Sequence, residues 1–357
     1  MRIVQLIDSL NPGGAERMAV NYANALSAEI EFSGLIATRK EGALSEQLTE
    51  KVDYFFLNRT KTFDVAAIFR LRNYLKSNRI DFLHAHGTSF LLGVLVKLVC
   101  PRVKLLWHDH YGNRVLAAPN DNKALVLFSI FFDGVISCNT ELEQWAKKNL
   151  KCKTVLYLPN FAVYKSDEFQ TDLLKGDNNK RIVCLANLRH PKNHEFMVEA
   201  FSRSEIYKNG WTLHFIGADY QDDYSSSLKN FIKKENLEAA VFIYGSKIAV
   251  FSMLKQARIG LLGSTFEGFP VTLLEYGLAG LAVLSSDVGF CSEIINDGES
   301  GILFNPLTVN DLSEKLIRIT NDEALIVAFG ENLTKKIENE FSKQSIIEKY
   351  IAFLRKI

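Results

Sequence analysis

The feature that most narrows the fold of this chain is a rhythm that runs twice. Short apolar, β-branched runs near residues 2–7, 31–37, 53–57, 81–85, 103–107, 133–138 and 153–158 alternate with segments of helical spacing. Runs of this kind, separated by helices, point to a mostly parallel sheet covered on both faces. Around Pro159-Asn160 and from Lys165 to Lys180 the rhythm stops, and charged and small polar residues take over, as in a linker. It restarts at Arg181-Ile182-Val183-Cys184-Leu185-Ala186 and continues through strands expected near 211–216, 240–244, 258–262 and 281–285. Two doubly wound α/β domains are expected, 1–164 and 165–341. The closing segment, 342–357, places Ile346, Ile347, Tyr350, Ile351 and Leu354 on one helical stripe and is expected to pack back onto the first domain.

A chain of 357 residues, 47% hydrophobic and 23% charged, has enough apolar surface for two packed cores. Its 42 Lys and Arg against 41 Asp and Glu give no general attraction to nucleic acid. Cys100, Cys138, Cys152, Cys184 and Cys291 are scattered, with no Cys-x-x-Cys pair, which fits buried thiols in a reducing compartment better than a disulfide frame. The segment Met1 to Asp8 reads as a first buried strand rather than a signal peptide. The apolar stretches Phe90 to Val99 and Ala124 to Phe132 are well short of the roughly 20 residues of a spanning helix. A cytoplasmic protein is expected.

Open α/β sheets bind ligands at the carboxyl ends of their strands, so functional motifs should follow strands. The richest is Ser264-Thr265-Phe266-Glu267-Gly268-Phe269-Pro270-Val271-Thr272-Leu273-Leu274-Glu275. Proline suits the first position of a helix, so Pro270 is expected to start one and to leave the amides of Val271, Thr272 and Leu273 for a diphosphate. Glu275, inside that helix, can accept hydrogen bonds from ribose hydroxyls, while Glu267 in the loop can face a sugar. An isolated pair of glutamates would more simply be a helix cap and a solvated side chain.

In Asn11-Pro12-Gly13-Gly14-Ala15-Glu16-Arg17, Gly13 and Gly14 let the backbone approach a ligand closely at a helix N-terminus. The third glycine of a dinucleotide fingerprint is missing. His84 and His86 end one strand and His108 and His110 the next, each pair on one face. With no cysteine nearby and no His-x3-His helix, a polar cluster is expected rather than a metal site, with Asp109 able to orient an imidazole. Arg189 and Lys192, in Leu185-Ala186-Asn187-Leu188-Arg189-His190-Pro191-Lys192-Asn193-His194, can neutralise a diphosphate, although a basic loop facing water has the same composition.

The Glu267-x7-Glu275 spacing, the Gly-Phe-Pro turn and Tyr276-Gly277-Leu278-Ala279-Gly280 resemble the Glu-x7-Glu region of the GT4 glycosyltransferases, the glycosyl transferases group 1. The likeness continues through Asp287-Val288-Gly289, Glu293-Ile294-Ile295, Asp297-Gly298, Gly301 and Asn305-Pro306. The Gly13-Gly14-Ala15-Glu16 loop resembles the one with which that family's first domain approaches donor and acceptor. The resemblance implies a GT-B fold, two Rossmann-like domains facing across a cleft. It also implies retaining transfer of a sugar from a UDP- or GDP-linked donor to a glycan or lipid-linked acceptor in cell-surface polysaccharide synthesis. His108, Glu267 and Lys192 would take part in the chemistry. Gly13, Gly14, Arg189, Lys192, Phe269, Pro270, Val271, Thr272, Leu273 and Glu275 would bind the donor. The family usually carries Gly-Arg-Leu where Ala186-Asn187 stands here, so Lys192 carries over more directly than Arg189.

No Asp-x-Asp triplet is present, and neither a metal nor another cofactor is expected. Peripheral membrane contact is expected through Lys97, Arg102 and Lys104 or through Arg114, Leu116, Leu125, Val126, Phe128, Phe131 and Phe132, residues that burial would explain equally well. The alternatives are a nucleotide-sugar 2-epimerase of the same fold and a non-catalytic nucleotide-sugar-binding protein.

Overall fold

The computed structural model describes residues 1–115, 121–163, 172–247 and 249–357; Leu116 and the linker segment 165–171 lie outside them. The chain forms two units, Met1–Phe161 with Lys343–Ile357, and Ala162–Ser342.

The first unit runs β1 (Arg2–Ser9), α1 (Gly14–Leu26), β2 (Phe32–Lys40), β3 (Asp53–Phe56), α2 (Val65–Ser77), β4 (Phe82–His86), α3 (Phe90–Val99), β5 (Lys104–Asp109), α4 (Lys123–Phe128), β6 (Gly134–Ser137), α5 (Thr140–Asn149) and β7 (Val155–Tyr157). All seven strands are parallel, in the order β3-β2-β1-β4-β5-β6-β7. Helix starts follow from local chemistry: the Asp64 carboxylate accepts from the Ala67 amide at 2.9 Å, and Asn139 accepts from Leu142 at 2.8 Å.

The second unit runs β8 (Arg181–Leu185), α6 (His194–Ser204), β9 (Thr212–Ile216), α7 (Asp223–Lys234), β10 (Val241–Ile243), α8 (Val250–Leu254), β11 (Ile259–Leu262), α9 (Val271–Leu278), β12 (Ala282–Ser286), α10 (Cys291–Ile294), β13 (Ile302–Phe304), α11 (Val309–Thr320) and α12 (Glu323–Glu340). Its six parallel strands are ordered β10-β9-β8-β11-β12-β13. The sequence reading lacks β13, a three-residue strand that follows Gly301.

The last helix, α13 (Lys343–Leu354), returns to the first unit, where Ile346, Ile347, Tyr350 and Leu354 are buried and the Tyr22 and Tyr350 rings lie 5.0 Å apart. In both sheets the strand order reverses once, between β1 and β4 and between β8 and β11. Such switch points open a crevice at the strand ends, where ligands bind in open α/β sheets.

Most of the apolar residues expected at a membrane surface are core instead. Leu125 and Phe132 are buried, and Val126, Phe128 and Phe131 pack against them. Arg114 is held by Asp109, and Lys97 by Asp133. Among the described residues of the first unit, Phe63, Val65, Phe69, Leu98, Leu127 and Ile130 are apolar side chains that face outward. Among the described residues no helix is long and apolar enough to cross a membrane.

Candidate active site

The switch point of the second sheet lies between two loops, one after β8 and one after β11. They are tied together where the Thr265 amide donates to the Pro191 carbonyl at 2.9 Å. Within the first loop the Lys192 amide donates to the Arg189 carbonyl at 2.9 Å, closing a turn. Lys192 Nζ lies 2.6 Å from Glu267 Oε1, and the Ser264 hydroxyl donates to the same oxygen at 2.6 Å. The two charged side chains are 21% and 11% exposed, dry enough for the contact to fix both and open enough for a ligand to separate them. Arg189 is exposed and forms no ion pair or side-chain hydrogen bond among the described residues, so the structure brings Lys192 to Glu267 and leaves Arg189 outside the pair.

Glu267 is fixed from behind as well. Gly289 has φ +53°, and a Cβ there would lie 1.7 Å from the Glu267 carbonyl oxygen, so only glycine permits this approach. Tyr276 anchors α9 across both switch strands: its hydroxyl accepts from the Leu185 amide at 2.7 Å and donates to the Leu261 carbonyl at 3.2 Å. Its ring occupies the space over Gly260, where a Cβ would come within 2.5 Å of it.

Two local expectations are corrected. Pro270 is the N-cap, with ψ 95°, rather than the first helical residue, and the Leu273 amide donates to the Pro270 carbonyl at 3.0 Å. The amides at the head of α9 are those of Val271 and Thr272. The Phe269 side chain is buried, its ring 5.1 Å from Phe290 and 5.8 Å from Phe341, so it supports the turn from within. Glu275, partly exposed, lies in the second turn of α9.

In the first unit Gly13 caps α1 in extended conformation and Gly14 is its first residue. A Cβ on Gly13 would meet the Glu16 carboxylate at 2.3 Å, which shows that this side chain folds back over the helix N-terminus, the third-residue position of a capping box. Nothing lies within 4 Å of a Cβ on Gly14.

The histidines form a buried cluster between the sheet and the helices α1 and α13. His108 stacks on His110 at 3.9 Å and lies 5.3 Å from His84 and 5.4 Å from His86, with Tyr22 edge-on at 5.8 Å. Gln5 Oε1 is 2.8 Å from His86 Nε2, and the Tyr350 hydroxyl is 3.0 Å from His84 Nδ1. Burial pushes His84 and His110 down to about 3, and His86 and His108 well below the ordinary imidazole range, so all four rings are neutral. His108 is fully buried, and neither of its ring nitrogens has a partner. His84, His86 and His108 each offer one ring nitrogen within 4.8 Å of the others, the group among the described residues whose geometry could take a metal ion. Asp109 points to the opposite face of β5, where Arg114 donates to it at 2.9 Å, so it orients neither imidazole.

A further cluster has no counterpart in the sequence reading. At the switch point of the first sheet, Asp8 Oδ1 accepts from the Thr38 hydroxyl at 2.5 Å and from Arg59 Nη2 at 3.0 Å, and Oδ2 accepts from the Thr88 hydroxyl at 2.8 Å. Arg39 Nε stands 4.0 Å from Oδ1. These residues come from four different strand ends or loops, so no spacing in the sequence announces them.

With this geometry in hand, comparison places the chain among known proteins. The model for glycosyl transferases group 1 matches residues 165–336, and that for glycosyltransferase family 4 matches 12–161. An N-acetyl-alpha-D-glucosaminyl L-malate synthase of Bacillus anthracis is 23% identical over 81% of this chain and 78% of its own length. A UDP-Gal:alpha-D-GlcNAc-diphosphoundecaprenol alpha-1,3-galactosyltransferase of Escherichia coli is 21% identical over 97% and 94%. An exopolysaccharide phosphotransferase of Streptomyces coelicolor is 26% identical over 76% of this chain, which spans only 28% of that protein. Anabaena HepE, solved with UDP and glucose, superposes with a TM-score of 0.83 over all of both chains at 15% identity, which establishes the GT-B fold. Both halves of the chain are thus accounted for by one kind of enzyme, and the protein belongs to the group 1, family 4 glycosyltransferases.

Proposed function

We propose that this glycosyltransferase moves a sugar, with retention of configuration and without a metal, from a UDP- or GDP-linked donor to a glycan or lipid-linked acceptor in cell-surface polysaccharide synthesis. The observation that carries the reading is the Lys192–Glu267 contact beside the head of α9, at the switch point of the second sheet. The anomeric carbon–oxygen bond breaks and the nucleoside diphosphate leaves with the bonding pair. Lys192 and the Val271 and Thr272 amides, backed by the helix dipole, stabilise that charge, and Arg189 can swing in from solvent to add to it. Once Lys192 turns to the diphosphate, Glu267 is free to accept hydrogen bonds from sugar hydroxyls. Glu275 holds the ribose. Gly13 and Gly14, at the head of α1, leave backbone open to a substrate anion once Glu16 gives way. His108 serves the donor sugar as a neutral hydrogen-bond partner; its two unpartnered nitrogens favour this role, and its burial means that the ring must first become accessible.

Two comparisons support the nucleotide and acceptor classes. The E. coli relative is named for a UDP donor and a diphosphate-linked lipid, and HepE was crystallised with UDP and glucose. A lipid-linked acceptor requires work at a bilayer surface, and α2, α3 and α4 suit that contact. They carry Arg70, Arg72, Lys76 and Lys123 but no carboxylate, and expose Val65, Phe69, Leu98 and Leu127, while Lys97 is paired with Asp133.

The test is a thermal-shift screen against UDP, GDP, ADP, dTDP and CMP and their sugar conjugates, with and without EDTA, since a ligand that binds only the folded state raises Tm. Stabilisation by one diphosphate series, insensitive to EDTA and lost in Glu275→Ala, is expected. No shift with any nucleotide sinks the reading.

A further inference from the structure

The cluster at the switch point of the first sheet is built like a binding site and is short of one partner. Arg59 is the anchor. Its side chain is 3% exposed, its amide donates to the Thr38 carbonyl at 2.6 Å, and Asp8 takes one of its terminal nitrogens. Its Nε is buried with no partner, although a buried guanidinium N–H without an acceptor is costly. Arg39 stands beside it, 36% exposed, and reaches Asp8 only at 4.0 Å, beyond hydrogen-bond length. Its side chain forms no hydrogen bond among the described residues. Asp8 carries one negative charge against two guanidinium groups, and Thr38 and Arg59 already donate to Oδ1, the oxygen nearer Arg39, so one positive charge is left over.

The placement is equally specific. The carbonyl of Leu10 accepts from the Leu44 amide at 3.1 Å, and the Leu10 amide donates to the Lys40 carbonyl at 3.2 Å. A Cβ on Gly42 would lie 2.3 Å from Leu10 and Asn11 backbone atoms, so the chain after β2 is pressed onto the start of the Gly13-Gly14 loop. Arg39 therefore sits at the loop expected to meet the substrates.

We propose that Arg39 and Arg59 form an anion subsite for a phosphate group of the acceptor, with Asp8, Thr38 and Thr88 holding Arg59 in place. The inference rests on the glycosyltransferase reading, in which the donor nucleotide belongs to the second unit and the acceptor to the first. Guanidinium groups suit this task because they grip phosphate oxygens through paired N–H donors. Arg39 is the accessible contact, and Arg59 supplies fixed charge and the spare N–H beneath it.

The experiment uses the full chain and two probes, inorganic phosphate and methyl phosphate, titrated by thermal shift into wild type, Arg39→Gln, Arg59→Lys and Lys192→Ala. Both probes are expected to raise Tm in wild type. Arg39→Gln should weaken both by about tenfold or more, the loss expected for a charged hydrogen bond. Arg59→Lys, which keeps the charge and tests the fork, should weaken them too, while Lys192→Ala should still respond. Nucleoside diphosphate should show the reverse, weakened in Lys192→Ala and unchanged in Arg39→Gln. A phosphate response that survives Arg39→Gln, or is absent in wild type, overturns the subsite. Response to the free ion but not to methyl phosphate rules out an acceptor ester. Loss of phosphate response in Lys192→Ala alone means that the anion was reading the donor site. A chain that answers phosphate as predicted but no nucleotide at all refutes the donor reading and leaves the anion site standing.

Discussion

The two switch points solve the same problem with opposite materials. In the second unit one lysine meets one glutamate, and the motif around them is nearly continuous in sequence, from Ser264 to Glu275 with Lys192 opposite. In the first unit an aspartate gathers two hydroxyls and an arginine from separate strand ends and loops, and the neighbouring strand ends carry four neutral histidines, three of them fully buried. The second site is poised to exchange one ion pair for a ligand's charge. The first combines a fixed, neutral floor with a guanidinium left over. Histidine chemistry should therefore dominate how the first unit answers pH, and charge removal should dominate how the second answers mutation.

Acid is the strongest way to separate them. An imidazole whose folded pKa lies below its unfolded value of 6.5 makes the unfolded state the better proton acceptor. Stability is complete above pH 6.5 and is lost as pH falls towards about 3, where His84 and His110 titrate in the folded chain. The ceiling is about 1.4 kcal/mol per pH unit for each such histidine. The first unit holds four lowered histidines, and the second holds His194, at about 4, and His214, at about 3. Asp109, raised by burial against the pull of Arg114, offsets part of the first unit's loss at low pH. Hydrogen exchange between pH 7 and 5 should show protection falling faster in β4 and β5 than in β8 and β11. Equal loss in both sheets would break the comparison.

Charge removal comes next. Lys192→Ala is expected to lower turnover roughly 10²–10³-fold, the range for losing one preorganised donor at a developing negative charge. Glu267→Gln keeps the shape and removes the charge, and the double variant should lose less than the product of the two single losses, because each single change strands a partner. Fully multiplicative losses at unchanged folded fraction would mean that the 2.6 Å contact of the free enzyme does not couple the two residues.

This contrast also explains what could be read in advance. Both parallel sheets follow from β-branched runs alternating with helical periods, because a strand buried on both faces has little choice of composition. The loop from Ser264 to Glu275 was legible because contiguous residues carry it. Asp8, Thr38, Arg39, Arg59 and Thr88 were not, since their meeting is a product of strand order, and each alone is an ordinary polar residue at a strand end. For Phe269 the motif fixes its place in the turn, while its ring packs on Phe290 and Phe341, outside the motif. Asp109 misled through alternation, which sends it to the face opposite its histidine neighbours.

The glycines sharpen the comparison further. Gly289→Ala must adopt φ +53° with its Cβ against the Glu267 carbonyl, and a loss of at least about 2 kcal/mol is expected from strain and displacement together. Because the clash is with the backbone of the loop that carries Glu267, surviving folded protein should also show weakened nucleotide binding if that loop holds the donor. Wild-type Tm and nucleotide affinity in Gly289→Ala would mean that Glu267 is held by its side-chain partners alone.

Gly14→Ala should have the smallest effect on stability and the most informative one on function. Gly14 is the first residue of α1, and its Cβ position is open, so alanine meets no clash there. Alanine also favours the helix by up to about 1 kcal/mol over glycine, less at a first turn, so Tm should hold or rise slightly. If the loop needs Gly14 for close approach to a substrate, activity will fall while stability does not, and KM will rise before kcat changes. If activity follows stability upward, the glycine serves only the turn, and the first unit's contribution to the substrates must come from its side chains, with Arg39 the accessible one at that strand end.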